Sequence, residues 1–286
     1  MHVLMTVVAA AAVLAGAARA ETFRVGVTAG PHADIADVMK VAAERGLDIK
    51  VVEFTDYVIP NQALALKDLE ANSFQHEPCL KNQFSKTGWK IVKVANTIAS
   101  PQDVYSLKCK NLSDLPEGAR GVIANDPSNG ARGLMILALH GLIKLKDPTN
   151  VASTMADITD NPKKLRFVEL DAAQLPRSLQ DVDLVSINNN YAVQAGLNPA
   201  VDAIGREAAD GPWVNIIAVC EEDEDKPWVK QLIDACHFDE VKAFLEKRTY
   251  IATWHVGWRF DVSHPRCACV AEIEAGSGGR KAVCPG

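Results

Sequence analysis

Apolar and polar positions along this chain alternate in short blocks that predict strands and helices in turn. Thr22 to Val27 reads as a buried strand, a Gly30-Pro31 turn follows, and apolar residues then recur at helical spacing from about Ala33 to Arg45. Gly46 ends that helix and Ile49 to Phe54 resumes a strand. Strand, helix and strand joined by short connections predict an open α/β sheet, whose ligands sit beyond the carboxyl ends of its strands. Helices are predicted over Asn61 to Leu69 and Leu80 to Lys86, and a strand over Ile91 to Ala95. Asn96 to Ser106 reads as an extended segment suited to passing between lobes, and Asn111 to Leu115 as a short capped helix.

The stretch from Gly121 to Leu145 organises the chain. Val122, Ile123 and Ala124 form a strand, residues 125–129 a polar loop, and Leu134, Leu137 and Ala138 mark a helix. Beyond it come a segment Val151 to Thr154, a helix from Asp157, and strands Arg166 to Leu170, Asp183 to Ile187 and Trp213 to Val219. Helices Trp228 to Ala235 and Asp239 to Lys247 close the pattern, and periodicity is lost from about His255.

Several of these positions carry chemistry. A helix N-terminus presents unpaired N–H groups, and Arg132 in its first turn adds a planar fork that grips a carboxylate with two parallel bonds. The same residues also fit an ordinary capped helix with a solvated arginine. Tyr57 lies at a strand end, placed for a pocket wall or for plain half-burial. Phe74, Gln75, His76 and Cys79 cluster before a helix start marked by Pro78. A His and a Cys three apart fit a reactive pair or half a metal site. No further ligand stands at metal spacing and no base-orienting group is evident, so a binding role for His76 and Phe74 needs fewer assumptions. Asn188, Asn189 and Asn190 follow a strand, where each offers a donor and an acceptor to an ammonium or amide, although Asn is also common in turns. Asn215 is a polar residue within a strand pattern and needs partners if buried.

Composition narrows the class. The 286 residues are 48% hydrophobic with a formal net charge of -6, which suits two α/β lobes or one large domain. The mild acidic excess and the lack of a basic stripe argue against nucleic acid. Residues 1–20 are rich in Ala and Val and end in Ala18-Arg19-Ala20, which predicts a signal peptide cleaved before Glu21. Leu14-Ala15-Gly16-Ala17 has Ala where a lipobox has Cys, so no lipid anchor is expected. Seven cysteines in an exported chain permit disulfides without fixing their connectivity.

Gly26-Val27-Thr28-Ala29-Gly30-Pro31-His32-Ala33, Tyr57-Val58-Ile59-Pro60-Asn61, Phe74-Gln75-His76, Asn125-Asp126-Pro127-Ser128-Asn129, Phe167-Val168-Glu169-Leu170 and Gln174-Leu175-Pro176-Arg177 together resemble the NlpA/MetQ family, the substrate-binding proteins of bacterial methionine ABC importers. The resemblance runs from about Phe23 to Trp254. It implies a type II periplasmic-binding fold of two α/β lobes joined by crossover segments, with the ligand cleft between them. On this reading residues 21–104 and 205–254 form one lobe, 105–204 the other, and 255–286 a tail that is expected to be disordered.

By the resemblance, Arg132 grips the ligand carboxylate, Asn188 and Asn215 engage the amino-acid backbone, and Tyr57, Phe74 and His76 surround the side chain. Asn129 and Cys79 join that expected ligand set. The partners implied are an amino acid and the membrane permease and ATPase of an importer. A monomer is expected, with no cofactor, no metal and no enzymatic activity. Cys79 stands where the family usually has Tyr, and Gln102 and Asp103 replace residues usually apolar or small. A cleft-facing Gln102 or Asp103 would favour a more polar ligand. L-Methionine or a close relative is therefore the expected cargo; the alternatives are another amino acid or a small polar dipeptide on the same scaffold, and a thiol enzyme using Cys79 and His76.

Overall fold

The computed structural model describes residues 21–43, 46–208 and 211–246. The expected signal peptide and the tail from residue 255 lie outside the described residues, as do Cys267, Cys269 and Cys284. No described helix is long and apolar enough to cross a membrane.

The chain opens with β1 (Thr22–Thr28), α1 (Pro31–Ala43), β2 (Asp48–Phe54), α2 (Ile59–Ala65), β3 (Ala71–Asn72), α3 (Glu77–Thr87) and β4 (Ile91–Ala99). Helix α2 stops before the expected Leu69 because the backbone turns left-handed at Lys67, where φ is 64°. After Ser100 and Pro101 come β5 (Gln102–Tyr105), β6 (Arg120–Ala124), α4 (Pro127–Leu139), β7 (Lys144–Leu145), β8 (Ile158–Asp160) and β9 (Arg166–Leu170). Then follow α5 (Leu175–Ser178), β10 (Leu184–Asn188), α6 (Asn189–Gln194), α7 (Pro199–Asp202) and β11 (Ala203–Arg206), and the last described elements are β12 (Val214–Cys220), α8 (Pro227–Cys236) and α9 (Asp239–Glu246).

The helix expected from Asp157 does not form. Asp157 closes a single capped turn by accepting from Thr154 N and Oγ1, and Pro162 holds the residue before it extended, so β8 follows instead. The expected extended segment over 96–106 is mostly strand: β4 continues to Ala99 and β5 begins at Gln102.

Two five-stranded sheets result, ordered β2-β1-β3-β12-β4 and β9-β6-β10-β5-β11. In each, three parallel strands are followed by an antiparallel strand that has just entered from the other sheet, β12 in the first and β5 in the second. The chain changes sheets between Ala99 and Gln102 and between Arg206 and Val214. The expected lobe boundaries at 104/105 and 204/205 thus cut through β5 and β11, both of which belong wholly to the second sheet.

One face of the first sheet packs Val25, Val27 and Ile217 against α1, α8 and α9 through Met39, Leu232 and Leu245; Leu64, Leu69 and Leu80 cover the other. The second sheet is covered by α4 on one face, through Leu134 and Leu137, and by Leu175, Leu179 and Tyr191 on the other. Burying these side chains at roughly 1.5–3 kcal/mol each gives each lobe a core of its own. The carboxyl ends of the parallel strands of both sheets face one cleft.

Candidate functional site

The cleft floor is built where β6 hands over to α4. Asp126 caps the helix by accepting from Asn129 N at 3.0 Å, Pro127 occupies the first turn, and a Cβ on Gly130 would sit 2.7 Å from Ala124 O, so only glycine lets the helix start this close to the strand. The positive end of the helix is therefore met first by its own Asp126. That carboxylate also takes both contacts from Asn129 Nδ2, at 3.0 and 2.9 Å. A carboxylate only accepts, so Asn129 must turn its Nδ2 to Asp126 and its Oδ1 to the cleft. There Oδ1 accepts from Asn188 Nδ2 at 2.8 Å and meets His76 Nε2 at 3.3 Å. Asn188 is left with its Oδ1 buried and without a partner among the described residues.

Arg132, only 2% exposed, departs from expectation. Its fork is engaged by protein: Nε and Nη2 donate to the two oxygens of Glu207 at 2.5 Å each, and Nη2 also donates to Ser100 O at 2.7 Å. Its guanidinium carbon lies 4.9 Å from the centre of the Trp213 ring. Nη1 is the edge left without a partner among the described residues. The expected pair of parallel bonds to a ligand is corrected to a pair with Glu207, and a ligand carboxylate has the Nη1 edge to meet.

The facing wall comes from the first lobe. His76 caps α3 by accepting from Cys79 N through Nδ1 at 3.2 Å, which places its proton on Nε2, toward Asn129. Burial, reinforced by the Arg132 guanidinium, lowers the His76 pKa to about 3, and burial lowers that of His32 to about 4, so both rings are neutral at pH 7. Asn215 lies beside His76 in an antiparallel bridge, and its Nδ2 meets His32 Nε2 at 2.5 Å. That contact answers the need for a partner raised by a buried Asn in a strand. Phe74 stacks 6.2 Å from Tyr57, which leans on Tyr191 at 5.2 Å and donates to Asn190 Oδ1 at 2.6 Å.

All eight residues singled out from sequence, Tyr57, Phe74, His76, Cys79, Asn129, Arg132, Asn188 and Asn215, line this one cavity. So do Gln75 and Asn190, which the sequence marks beside the expected set, and His32 and Ser100, which were not expected there; Asn189, offered together with its neighbours, is buried outside the lining. Gln102 and Asp103 do not line it. Gln102 is fully buried, with Nε2 on Asn129 O and Ser186 Oγ, and Asp103, the next residue of β5, is 2% exposed and also outside the lining. A polar side chain at either position thus meets no ligand, and Cys79 alone of these departures faces the cleft. Four cysteines, Cys79, Cys109, Cys220 and Cys236, are unpaired thiols. Among the described residues no group of three or more His, Cys, Asp or Glu is placed to hold a metal ion.

Bonds between the lobes hold the cleft shut: Tyr57 to Asn190, His76 to Asn129, Tyr191 Oη to Thr55 O at 3.0 Å and Gln194 Nε2 to Ala29 O at 2.8 Å. The space between the lobes combines one cationic edge, asparagine oxygens as acceptors, no acidic side chain in its lining among the described residues, and an aromatic and sulfur wall. That set suits a zwitterion with an apolar tail.

A two-lobe periplasmic binding protein fold, closing on a small solute, is the class that this architecture and cleft define. A family model described as NlpA lipoprotein matches residues 23–255, and the chain belongs to that family. It is 46% identical over 222 residues to the D-methionine-binding lipoprotein MetQ of Salmonella typhi, covering 76% of this chain and 82% of that protein. Among solved structures it resembles a nutrient-binding protein from Burkholderia cenocepacia bound to methionine, with a TM-score of 0.80, 47% identity, and coverage of 82% of this chain and 100% of that one. An ABC transporter periplasmic substrate-binding protein from Coxiella burnetii aligns with a TM-score of 0.79 at 44% identity, over 82% of this chain and 99% of that one. The family and the Salmonella relative are named lipoproteins, so the expectation of no lipid anchor is without support; Ala17, on which it rested, lies outside the described residues.

Proposed function

We propose that this protein captures methionine, or an amino acid closely like it, in the periplasm as a monomer and delivers it to the permease and ATPase of an ABC importer. The observation that carries the reading is the pairing, in one closed cavity, of the Arg132 Nη1 edge with the unpartnered Asn188 Oδ1. Arg132 takes the ligand carboxylate, and Asn188 and Asn215 take the ammonium. Asn129 orients Asn188, while Tyr57, Phe74, His76 and Cys79 surround the side chain. A zwitterion leaving water needs both ends bonded, and charge-assisted bonds of roughly 1.5–3 kcal/mol each supply that. A thioether against aromatic rings adds about 0.3–1.5 kcal/mol.

The protein works by binding rather than catalysis. Burial pushes the Cys79 thiol up to about 12, and His76 Nδ1 is occupied by Cys79 N, so the thiolate and imidazole of a cysteine enzyme do not form. The test is mass spectrometry of the small molecule released when protein purified without added ligand is denatured, followed by calorimetry of refolded protein against both methionine enantiomers and the other amino acids. Released methionine with tight rebinding supports the reading. A different cargo, with no heat from methionine, overturns it and points to Cys79 as the change in specificity.

A further inference from the structure

Arg132 is the one formal charge in the cavity lining among the described residues, because both lining histidines are held neutral by burial. Its counter-charge stands outside the lining. Glu207 follows β11, at the start of the return crossing to the first lobe, with its side chain 8% exposed. Both of its oxygens are committed to Arg132, and Oε2 also accepts from Gln102 N, the first residue past the outgoing crossing, at 3.3 Å. Arg132 in turn reaches Ser100 O within that outgoing crossing. A single guanidinium–carboxylate pair therefore ties α4 to both crossings between the lobes, and Trp213 covers the guanidinium from near the end of the return crossing.

We propose that Glu207 is a positioning and specificity residue: it holds Arg132 so that only the Nη1 edge meets the ligand, and it cancels the arginine charge so that the closed cleft selects a net-neutral zwitterion over an anion of the same shape. An isolated buried cation would draw in any carboxylate, whatever the rest of the ligand. With the cation already matched, an anion without an amino group brings an uncompensated charge into the closed site and leaves Asn188 Oδ1 without a donor. The amino group thereby becomes a requirement for binding. This inference rests on the amino-acid reading of the cleft.

The discriminating ligand is 4-(methylthio)butanoate, which is methionine without its amino group. Calorimetry at pH 6 compares it with methionine in the mature wild-type protein and in Glu207→Gln and Glu207→Asp, each refolded free of ligand. The wild type is expected to prefer methionine by at least roughly 100-fold, the loss set by one unpaired buried acceptor together with one uncompensated charge. Glu207→Gln should narrow that ratio about tenfold or more, by strengthening the anion relative to methionine, while Glu207→Asp, which keeps the charge, should largely preserve it. A merely structural glutamate would weaken both ligands in proportion and leave the ratio where it was.

An unchanged ratio in Glu207→Gln overturns the proposal, as does equal narrowing in Glu207→Asp. The wild type is a test by itself should the variants not fold: binding of the anion within about tenfold of methionine also overturns the proposal. No heat from methionine in the wild type would remove the binding reading and this inference with it. Heat from methionine with an unchanged ratio removes the inference alone.

Discussion

Asp103 makes the stability of this protein depend on pH in a direction opposite to that of most carboxylates. Its side chain lies inside the second lobe, 2% exposed, with Oδ2 lacking any partner among the described residues. Burial raises its pKa from 3.8 to about 7; nearby Glu207 pushes the same way, while Arg206 and Arg132 pull against them. An acid whose folded pKa is raised is bound to its proton more tightly in the folded state. Its contribution is therefore complete below about pH 4 and is lost as pH rises through about 7. The shift of about 3 units corresponds to at most about 4 kcal/mol, which water entry and the neighbouring arginines reduce to about 1–3 kcal/mol. Asp103→Asn has the same shape and cannot ionise. Urea unfolding followed by circular dichroism should find the variant more stable by about 1–3 kcal/mol at pH 8.5, with the gain fading to within about 0.5 kcal/mol at pH 4.5. Parallel stability curves for the two proteins would refute the argument. A gain confined to acid pH would show instead that Asp103 is ionised throughout and paired with Arg206.

The acid limb should belong to His32 and His76. Their folded pKa values of about 4 and 3 lie below the ordinary 6.5, so their contribution is present above about pH 6.5 and lost as pH falls toward 4 and below; replacing either with Gln should flatten that limb in the same unfolding series. Arg132→Met should lower methionine affinity by at least about 10- to 100-fold in calorimetry, since it removes a charge-assisted bond and strands Glu207, and unchanged affinity would mean that the ligand site lies elsewhere. Asn215→Ala should weaken binding about tenfold while leaving the fold intact by circular dichroism, because His32 loses a contact but gains no buried charge. Cys79 should react slowly with iodoacetamide at pH 8, being buried with its thiol pushed up to about 12, and more slowly still with methionine bound; peptide mass mapping showing no protection by ligand would place Cys79 outside the bound cavity.

What the sequence makes legible follows from how local each signal is. Seven strands of the two sheets announce themselves through apolar runs, though β3, β5 and β11 do not, and the β6–α4 handover shows as a run of cap residues, because strand burial and helix capping are decided by residues a few positions apart. The helix wrongly expected from Asp157 fails for an equally local reason, a Pro162 that the spacing argument ignored. Gln102 and Asp103 show the limit of residue type. Being polar says that each needs partners, but which face of β5 each occupies depends on Ser186, Asn129 and Glu207, brought there by strands and a helix far along the chain.

Arg132 carries that lesson into the site. Its place near the start of α4, in the second turn rather than the expected first, and its cationic character could be argued from neighbours, yet its fork is spent on Glu207, 75 residues away, and on the carbonyl of Ser100. A backbone carbonyl has no residue type to betray it, and an acidic residue in an aperiodic stretch looks like any solvated charge. His32 escaped for the same reason, since its part is to meet Asn215 across the fold. Several residues that line the cavity, Tyr57, His76, Arg132 and Asn188 among them, are thus marked by their own chemistry, whereas Asn129 enters the expected set only through the family resemblance. Those that set the direction and charge of the ligand contact emerge only when the two crossings bring both lobes together, and it is this second group, Glu207 above all, that decides which ions the cleft refuses.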